Sequence, residues 1–402
     1  MMGNRYPARR DILRSAVAGI LAGPLVMRSS ALGANDRITT GIIGLGGPAG
    51  GGAGGTQLLA VCDVREDKVR GHRENKNLTV YKHFRELLAR PDIDAVLIGT
   101  PDHWHAIPAI EAARAGKDIY CEKPMSLTIR EARAMVNAVR RTARVFQTGS
   151  QQRSEYGGCF RFACEMVRSG RIGKLQSINC NVGGPSRDCD LPGEPVPPGL
   201  DWDLWLGPAP WRPYNSAIVM GGRWRDWRDY SGGQMTDWGA HHFDIAQWAL
   251  DADESGPVEV YPPGTLTDRL TYVYANGVRV HHGGGGGGGV VFFGSEGKIA
   301  VDRGPLQTWP AHLKDKPIGP DEVHLYEVRN GHKGNWLDCI RTRQKPICDV
   351  EIGCRSVTVC HIGNLCYRLK RPLKWDPVKE EFIGDPDANR WLDRPKREPW
   401  TI

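Results

Sequence analysis

The stretch ITTGIIGLGGPA, residues 38–49, decides the fold of this chain. It begins with an apolar run that has the length of a buried β-strand and leads directly into a glycine-rich turn. In that turn Gly44 and Gly46 take the first two positions of the pattern G-x-G-x-x-G, and Ala49 takes the third. A turn of this kind lets the backbone approach a pyrophosphate, so it predicts a dinucleotide site at Gly44, Gly46 and Gly47.

The next apolar run, LLAVCDV at residues 58–64, ends in Asp63, 19 residues after Gly44. A carboxylate at this point binds the ribose hydroxyls of NAD(H) and repels the additional phosphate of NADP(H). The sequence therefore predicts NAD(H) in preference to NADP(H). Residues 50–55 are nearly all glycine, so the helix expected between the two strands should be short or frayed. A flexible glycine linker is the alternative, but the flanking strands argue against it.

Short apolar runs alternate with helical stretches as far as residue 149. This alternation predicts an α/β fold with a doubly wound parallel sheet, the Rossmann arrangement. The predicted strands are 38–45, 58–64, 94–100, 118–122 and 144–149, and the predicted helices lie near 84–90, 103–115 and 126–142. Ligands of such sheets bind beyond the carboxyl ends of the strands, which is where chemistry is expected.

The pattern changes after residue 157. A long loop rich in Pro, Gly and Trp occupies residues 184–233, and strands joined by short turns indicate an antiparallel sheet. Strands are predicted near 258–262, 270–282 and 290–302, and helices at 157–169, 237–249, 333–344 and 352–369. We therefore expect a nucleotide-binding domain at residues 37–155 and a second domain, for substrate binding and oligomerisation, at residues 156–402.

The net charge of +7 does not indicate a nucleic-acid partner. Five arginines and a single acid, Asp11, place +4 of this excess in residues 1–33, which leaves the body of the chain close to neutral. The eleven cysteines show neither a CxxC pair nor zinc-type spacing, so they predict core residues rather than disulfides or a metal module.

The first 34 residues have the composition of an export signal. The paired arginines Arg9 and Arg10 precede a 13-residue apolar run at 15–27, and small residues follow. A membrane-spanning helix needs about 20 residues, so this run predicts a cleaved signal of the twin-arginine type rather than an anchor. The mature protein would then be periplasmic and without a transmembrane segment. A basic, disordered tail is the alternative.

Two motifs follow strand ends on the same side of the predicted parallel sheet. The predicted strand 94–100 leads into TPDHWH at residues 100–105, and the next predicted strand, 118–122, leads into CEKP at 121–124. Their position predicts that Thr100, Pro101, Glu122 and Lys123 contact the cofactor, with Lys123 toward the nicotinamide. On its own, a lysine before a proline is more often a residue of a surface turn.

A third motif, DWGAHHFD at residues 237–244, lies on a predicted helix. Asp237 and His241 are four residues apart and share a helical face, so they are candidates for a general acid/base pair in which the acid holds the imidazole tautomer. They could instead be half of a metal site. No third ligand has suitable spacing, so no metal is expected.

Together, TPDHWH, AGKDIYCEKP and GGQMTDWGAHHFD resemble motifs of the Gfo/Idh/MocA family of glucose-fructose oxidoreductases and inositol dehydrogenases. The likeness runs from about residue 38 to the end of the chain, and GSQQRS and REPW resemble its exported bacterial branch. It implies a Rossmann domain, a C-terminal α/β domain with a mostly antiparallel open sheet, and a homo-oligomer, either dimer or tetramer. It also implies that Lys123, Asp237 and His241 are the catalytic set and that His105 lies near the nicotinamide ribose.

Hydride transfer from an alcohol requires a base for the hydroxyl proton and a cation for the developing alkoxide. We assign His241 as the base, oriented by Asp237, and Lys123 as the cation, although the roles of His241 and Lys123 could be exchanged. Polar and aromatic side chains nearby are candidate contacts for a polyhydroxylated substrate, or else cleft packing: Gln151, Gln152, Arg153, Trp238 and His242.

Two other functions fit the same motifs. One is a glycosidase or lyase that oxidises a sugar transiently, eliminates the leaving group and returns the hydride. The other is a non-catalytic protein that binds a nucleotide or a sugar on the same fold. The presence of Lys123, Asp237 and His241 favours an NAD(P)-dependent dehydrogenase of a sugar, cyclitol or related compound.

Overall fold

A computed structural model describes residues 37–283 and 289–402 of the chain. The predicted export signal at residues 1–34 lies outside the described residues. Within them the chain forms one β-sheet of six strands and another of nine, with helices packed against both.

The first sheet confirms the predicted parallel fold. Its strand order is β3-β2-β1-β4-β5-β6, and every neighbouring pair is parallel. The strands are β1 Thr39–Ile43, β2 Gln57–Cys62, β3 Thr79–Tyr81, β4 Ala95–Ile98, β5 Asp118–Cys121 and β6 Phe146–Thr148. Five of them were predicted, whereas β3 was missed because it has three residues, none of them buried.

Four helices connect these strands: α1 Glu66–Val69, α2 Phe84–Leu88, α3 Ala106–Arg114 and α4 Ile129–Thr142. The longest, α4, has both ends defined by local chemistry. The hydroxyl of Thr128 accepts a hydrogen bond from the backbone N–H of Glu131 at 3.1 Å, which is a typical N-cap. At the other end Ala143 adopts a left-handed conformation and stops the helix.

The connection from β1 to β2 contains no α-helix. A single turn of 3-10 helix at Pro48–Gly51 is followed by an irregular stretch in which Gly52 and Gly55 have positive φ angles. The five glycines of residues 50–55 would each cost about 1 kcal/mol relative to alanine in a helix. The glycine content therefore explains why the usual crossover helix is missing here.

The second sheet is mostly antiparallel, as predicted. Its order is β13-β12-β11-β7-β10-β9-β8-β14-β15, and the β7–β10 pair is parallel. Its strands are β7 Leu175–Asn181, β8 Glu259–Tyr261, β9 Thr271–Val273, β10 Arg279–His282, β11 Gly289–Gly294, β12 Lys298–Val301, β13 Gln307–Trp309, β14 Leu373–Asp376 and β15 Glu381–Phe382. The central strand β7 was not predicted, because polar residues interrupt its apolar positions.

Eight further helices occupy the second half: α5 Cys159–Arg168, α6 Trp202–Leu206, α7 Ser216–Val219, α8 Gln234–Asp237, α9 Gly239–Ala249, α10 His332–Thr342, α11 Val350–Leu369 and α12 Pro386–Asn389. The DWGAHHFD motif spans two helices, since Asp237 ends α8 and Gly239–Asp244 belong to α9, which is buried along its whole length. The predicted loop at 184–233 is ordered around an aromatic core of its own, which includes Trp202, Trp205 and Trp227. We call residues 200–230 the tryptophan segment.

Helices from the second half cover both faces of the first sheet. On one face Trp336 and Leu337 of α10 pack in a single cluster with strand residues of the sheet. On the other face Val350 of α11 and Trp400, near the end of the chain, join a second cluster, in which the Trp400 ring lies 4.7 Å from that of Trp104. These two clusters join residues from both sides of the domain boundary predicted between residues 155 and 156. The boundary therefore stays a prediction.

Candidate active site

A cavity of about 480 Å³ opens at the carboxyl ends of the parallel strands, where the fold predicts a ligand. It is lined by eight of the nine predicted cofactor contacts, namely Gly44, Gly46, Gly47, Asp63, Thr100, Pro101, Glu122 and Lys123. Asp237 lies in the same wall. Residues that are up to 193 positions apart in the sequence therefore share one site.

The glycine turn can only be built from glycine at its first position. Gly44 has a φ of 84°, and a Cβ atom there would lie 2.6 Å from the backbone nitrogen of Thr100. At Gly46, by contrast, a Cβ would meet nothing within 4 Å, so the backbone is open to the cavity. These properties fit a loop that lets a pyrophosphate come close to the main chain.

Asp63 holds the turn in place. Its Oδ2 accepts a hydrogen bond from the backbone N–H of Leu45 at 2.8 Å, and its Oδ1 accepts one from Arg65 at 3.0 Å. Burial raises the pKa of this carboxyl above its usual range. Each oxygen retains acceptor capacity, so Asp63 fits the ribose hydroxyls of a dinucleotide.

Lys123 and Asp237 form an ion pair in the cavity wall. The Lys123 Nζ donates to Asp237 Oδ1 at 2.8 Å and to the backbone carbonyl of Asp237 at 2.9 Å. Arg225 donates to the same Oδ1 at 2.9 Å. Burial opposes ionisation of Asp237, but the two cations outweigh it and hold its pKa below the usual value.

Sequence reasoning assigned Asp237 the wrong partner. Its carboxylate contacts Lys123 and Arg225, whereas Nδ1 of His241 is buried without a hydrogen-bond partner among the described residues. Burial, together with Lys123 and Arg303, lowers the pKa of His241 well below its usual range. The imidazole is therefore neutral at neutral pH and fits a proton acceptor, but His241 is 4% exposed and, unlike Lys123 and Asp237, is not one of the residues that line the cavity.

His105 does not line the cavity, contrary to the prediction that it contacts the cofactor. Its ring is 1% exposed and lies between two loops, with Nδ1 2.7 Å from the carbonyl oxygen of Pro124 and Nε2 2.8 Å from that of Thr100. Burial lowers its pKa to about 4. His105 thus links the ends of β4 and β5 and positions the loop of Lys123.

Two buried carboxyl groups in the cavity wall have raised pKa values. Burial raises the pKa of Glu122 to about 7, and its Oε1 has no hydrogen-bond partner in the described part of the chain. Burial likewise raises the pKa of Asp102 to about 7, although the Ser231 hydroxyl donates to its Oδ2 at 2.7 Å. Asp102 was not predicted as a site residue, and its place in the TPDHWH motif was the available signal.

Arg153 is a structural residue and not the predicted substrate contact. Its side chain is 1% exposed and binds two carboxylates, with Nε 2.8 Å from Asp244 Oδ2 and Nη2 2.7 Å from Asp253 Oδ1. Its guanidinium also lies 4.9 Å from the ring centre of Trp248. With these partners it has no donor facing an open cleft.

The other predicted substrate contacts differ in accessibility. Trp238 is 38% exposed, while His242 is buried and stacks on it with ring centres 5.6 Å apart. Gln151 donates to the Tyr120 hydroxyl at 3.1 Å. Gln152 is fully buried, and its amide makes no hydrogen bond within the described residues. Only Trp238 presents a substantial surface, so the prediction for buried Gln152 and His242 is not supported.

The tryptophan segment supplies a wall of the cavity that the sequence did not predict. Trp205, Met220, Trp224 and Arg225 line the cavity opposite the strand ends. Two glycines with positive φ angles, at 221 and 222, shape the chain just before Arg225. The available signal was the unusual density of tryptophan in a stretch that was predicted to be a loop.

Metal-binding clusters and membrane-spanning helices are both absent from the described residues. Within residues 37–283 and 289–402, no three or more His, Cys, Asp or Glu side chains are grouped so as to hold a metal ion. None of the helices in the same ranges is both long and apolar enough to cross a bilayer.

Two family models together match most of the chain. One, described as the NAD-binding Rossmann fold of the GFO_IDH_MocA oxidoreductase family, matches residues 38–150, and the other, its C-terminal alpha/beta domain, matches residues 186–402. A myo-inositol 2-dehydrogenase of Thermotoga maritima is 28% identical over 81% of this chain and 92% of its own length. A glycosyl hydrolase family 109 protein of a Shewanella species is 35% identical, over 30% of this chain and 28% of its own.

Solved structures have the same fold. An aldose-aldose oxidoreductase of Caulobacter crescentus superimposes with a TM-score of 0.60 at 19% identity, over 84% of this chain and all of that one. The resemblance inferred from the motifs is confirmed by the family models. The chain therefore belongs to the Gfo/Idh/MocA family of NAD-binding oxidoreductases.

Proposed function

We propose that this protein is an NAD(H)-dependent dehydrogenase that oxidises a secondary alcohol of a sugar, a cyclitol or a related polyhydroxylated compound. The observation that carries the proposal is the Lys123–Asp237 pair in the wall of the dinucleotide cavity. The relation to a myo-inositol 2-dehydrogenase supports the substrate class.

Lys123 retains a donor for a substrate. An ammonium group has three N–H donors, and two of them go to Asp237, one to the carboxylate and one to the backbone carbonyl. The third remains for the substrate hydroxyl, whose oxygen gains negative charge as the reaction proceeds. Asp237 therefore acts on Lys123 rather than on His241, because it keeps the amine charged and fixes its orientation.

Oxidation of the alcohol breaks its C–H and O–H bonds and forms a C=O bond. NAD⁺, when bound, accepts the hydride. The hydroxyl proton is left for a base, and His241 is suited to this role because it is buried and neutral. Lys123 thus stabilises the negative charge that develops on the oxygen, and His241 accepts the proton.

The test is to mix the full chain and NAD⁺ with each member of a panel of neutral and acidic sugars, inositols and polyols. Formation of NADH is measured by its absorbance. We expect activity with at least one compound and its loss in the Lys123→Met variant. A protein that binds NAD⁺ but oxidises no compound of the panel would favour the non-catalytic alternative.

A second candidate function is glycoside cleavage through transient oxidation. The partial match to a glycosyl hydrolase family 109 protein favours it. Both functions use the same hydride transfer, and they differ in the net product. Release of nitrophenol from a nitrophenyl glycoside without net NADH formation would identify cleavage.

We also propose that residues 1–34 direct export through the twin-arginine pathway to the periplasm and that the protein forms a dimer or tetramer. Charge order and the apolar run support the first idea, and family membership supports the second. A chain that begins near Asn35 should fold and bind NAD(H), and native mass spectrometry should show more than one copy. An insoluble shortened chain, or a monomer, would contradict these proposals.

A further inference from the structure

Arg303 is held between two aromatic rings at the surface beside helix α9. Its guanidinium carbon lies 4.6 Å from the ring centre of Trp238 and 5.1 Å from that of Tyr156. Trp238 and Tyr156 are 38% and 39% exposed, which is unusual for large aromatic side chains. We call Tyr156, Trp238 and Arg303 the Arg303 cluster.

The guanidinium of Arg303 has no anionic partner in the described part of the chain. The nearest acid in the sequence, Asp302, accepts a hydrogen bond from the backbone N–H of Arg303 at 2.8 Å rather than from its side chain. Cation–π contacts use the charge of the group and none of its five N–H donors. The cluster therefore holds an arginine in place while its donors remain available.

The cluster lies next to the proposed catalytic residues. Trp238 directly follows Asp237, and its ring centre is 5.9 Å from that of His241. After burial, Lys123 and Arg303 are the two largest influences on the pKa of His241, so both cations act on one imidazole. Trp238, which contacts Arg303 and adjoins His241, therefore places the Arg303 cluster on the His241 side of the site.

We propose that Arg303 binds a carboxylate of the substrate, so that the enzyme prefers sugar acids such as uronates to neutral sugars. A carboxylate matches the planar fork of donors that a guanidinium presents. The exposed part of the Trp238 side chain offers an apolar surface for C–H groups of the sugar. This inference rests on the proposed dehydrogenase function and specifies its substrate class.

The experiment compares kcat/KM for matched pairs with the full chain and NAD⁺. The pairs are D-glucose with D-glucuronate and D-galactose with D-galacturonate, and D-glucose 6-phosphate tests a different anion. We expect at least one uronate to exceed its neutral partner about tenfold or more, because a hydrogen bond to a charged group contributes on this order. Equal activity on both members of each pair, or preference for the phosphate, would overturn the proposal.

Variants distinguish a specific role of Arg303 from a general effect of positive surface charge. Arg303→Met should lower kcat/KM for the uronate by about 10- to 100-fold, mainly through KM, and change that for the neutral sugar by less than about threefold. Arg303→Lys should retain part of the preference. The matched control is Arg279→Met, since Arg279 is an exposed arginine on β10 of the same sheet.

The dehydrogenase function and the role of Arg303 can be refuted by different outcomes. If no polyhydroxylated compound, neutral or acidic, is oxidised, the dehydrogenase proposal fails. If neutral sugars are oxidised as well as uronates, or if Arg303→Met leaves uronate oxidation unchanged, the dehydrogenase proposal stands and the role of Arg303 is wrong. Arg303 is exposed, so its variants should melt with the wild type, and a melting curve checks this.

Discussion

Replacement of Arg153 by methionine should destabilise the protein strongly without impairing its chemistry. Arg153 binds Asp244 and Asp253, and Asp244 is fully buried, so the substitution leaves its carboxylate with the Ser356 hydroxyl as its remaining side-chain partner. Removal of one member of a buried ion pair costs about 3–5 kcal/mol. Asp253 is 29% exposed and can be solvated, so most of this cost arises at Asp244.

The assay is a melting curve together with kcat/KM at low temperature. A loss of this size should lower Tm by about 4–7 °C in a chain of this length, while kcat/KM stays within about threefold of wild type. The double variant Arg153→Met/Asp244→Asn should recover much of the loss, because it removes the unpaired charge. Arg114→Met, at an exposed arginine, is the control. If Arg153→Met melts like this control and raises KM, Arg153 is a substrate contact after all and the structural assignment is wrong.

Three further predictions follow from the site and the core. Lys123→Met should lower the rate of single-turnover hydride transfer by at least about 10²-fold, with little change in NAD(H) affinity. A rate within about tenfold of wild type would show that Lys123 is only a residue of a turn. Because burial raises the pKa of Glu122 to about 7, folding favours its protonated form, so stability should fall as pH rises from about 4.5 to 7. In denaturant titrations the free energy of unfolding of the wild type should be lower at pH 8 than at pH 5, by up to about 3 kcal/mol. Glu122→Gln should remove this difference, whereas Glu74→Gln, at an exposed residue, should not. All eleven cysteines are free and nine are buried, so iodoacetamide should label only Cys159 and Cys189 before unfolding, as mass spectrometry would show.

The sequence predicted those parts of the molecule that depend on local pattern. Parallel strands buried on both faces are continuous apolar runs, and this is why β1, β4 and β5 were recognised while the more polar β7 was not. The rule that chemistry follows strand ends correctly predicted that Lys123 lines the cavity. It applies to the backbone course and not to side-chain partners.

Errors in the predicted site come from partners that are distant in the sequence. Arg153 follows a strand end, as a ligand contact would, but its carboxylate partners lie 91 and 100 residues further along the chain. Arg225 reaches Asp237 only because the tryptophan segment folds over the cavity. Such tertiary contacts are not encoded in a local sequence pattern, and this is why Arg153, a structural residue, was predicted to contact the substrate.

The packing of helix α10 and Trp400 on the first sheet has a consequence for biosynthesis. The last strand of that sheet ends at Thr148, but residues that cover its two faces, such as Trp336 and Trp400, follow about 190 and 250 positions later. At about 5–20 residues per second, a ribosome needs roughly 10–50 s to make this interval. Until Trp336 and Leu337 have been made, the apolar face of the sheet that they cover is exposed, a state that favours aggregation and that chaperones would be expected to shield. The sheet that carries the dinucleotide site therefore acquires its full packing only after translation has passed residue 400, so we expect stable cofactor binding to be a late, post-translational event.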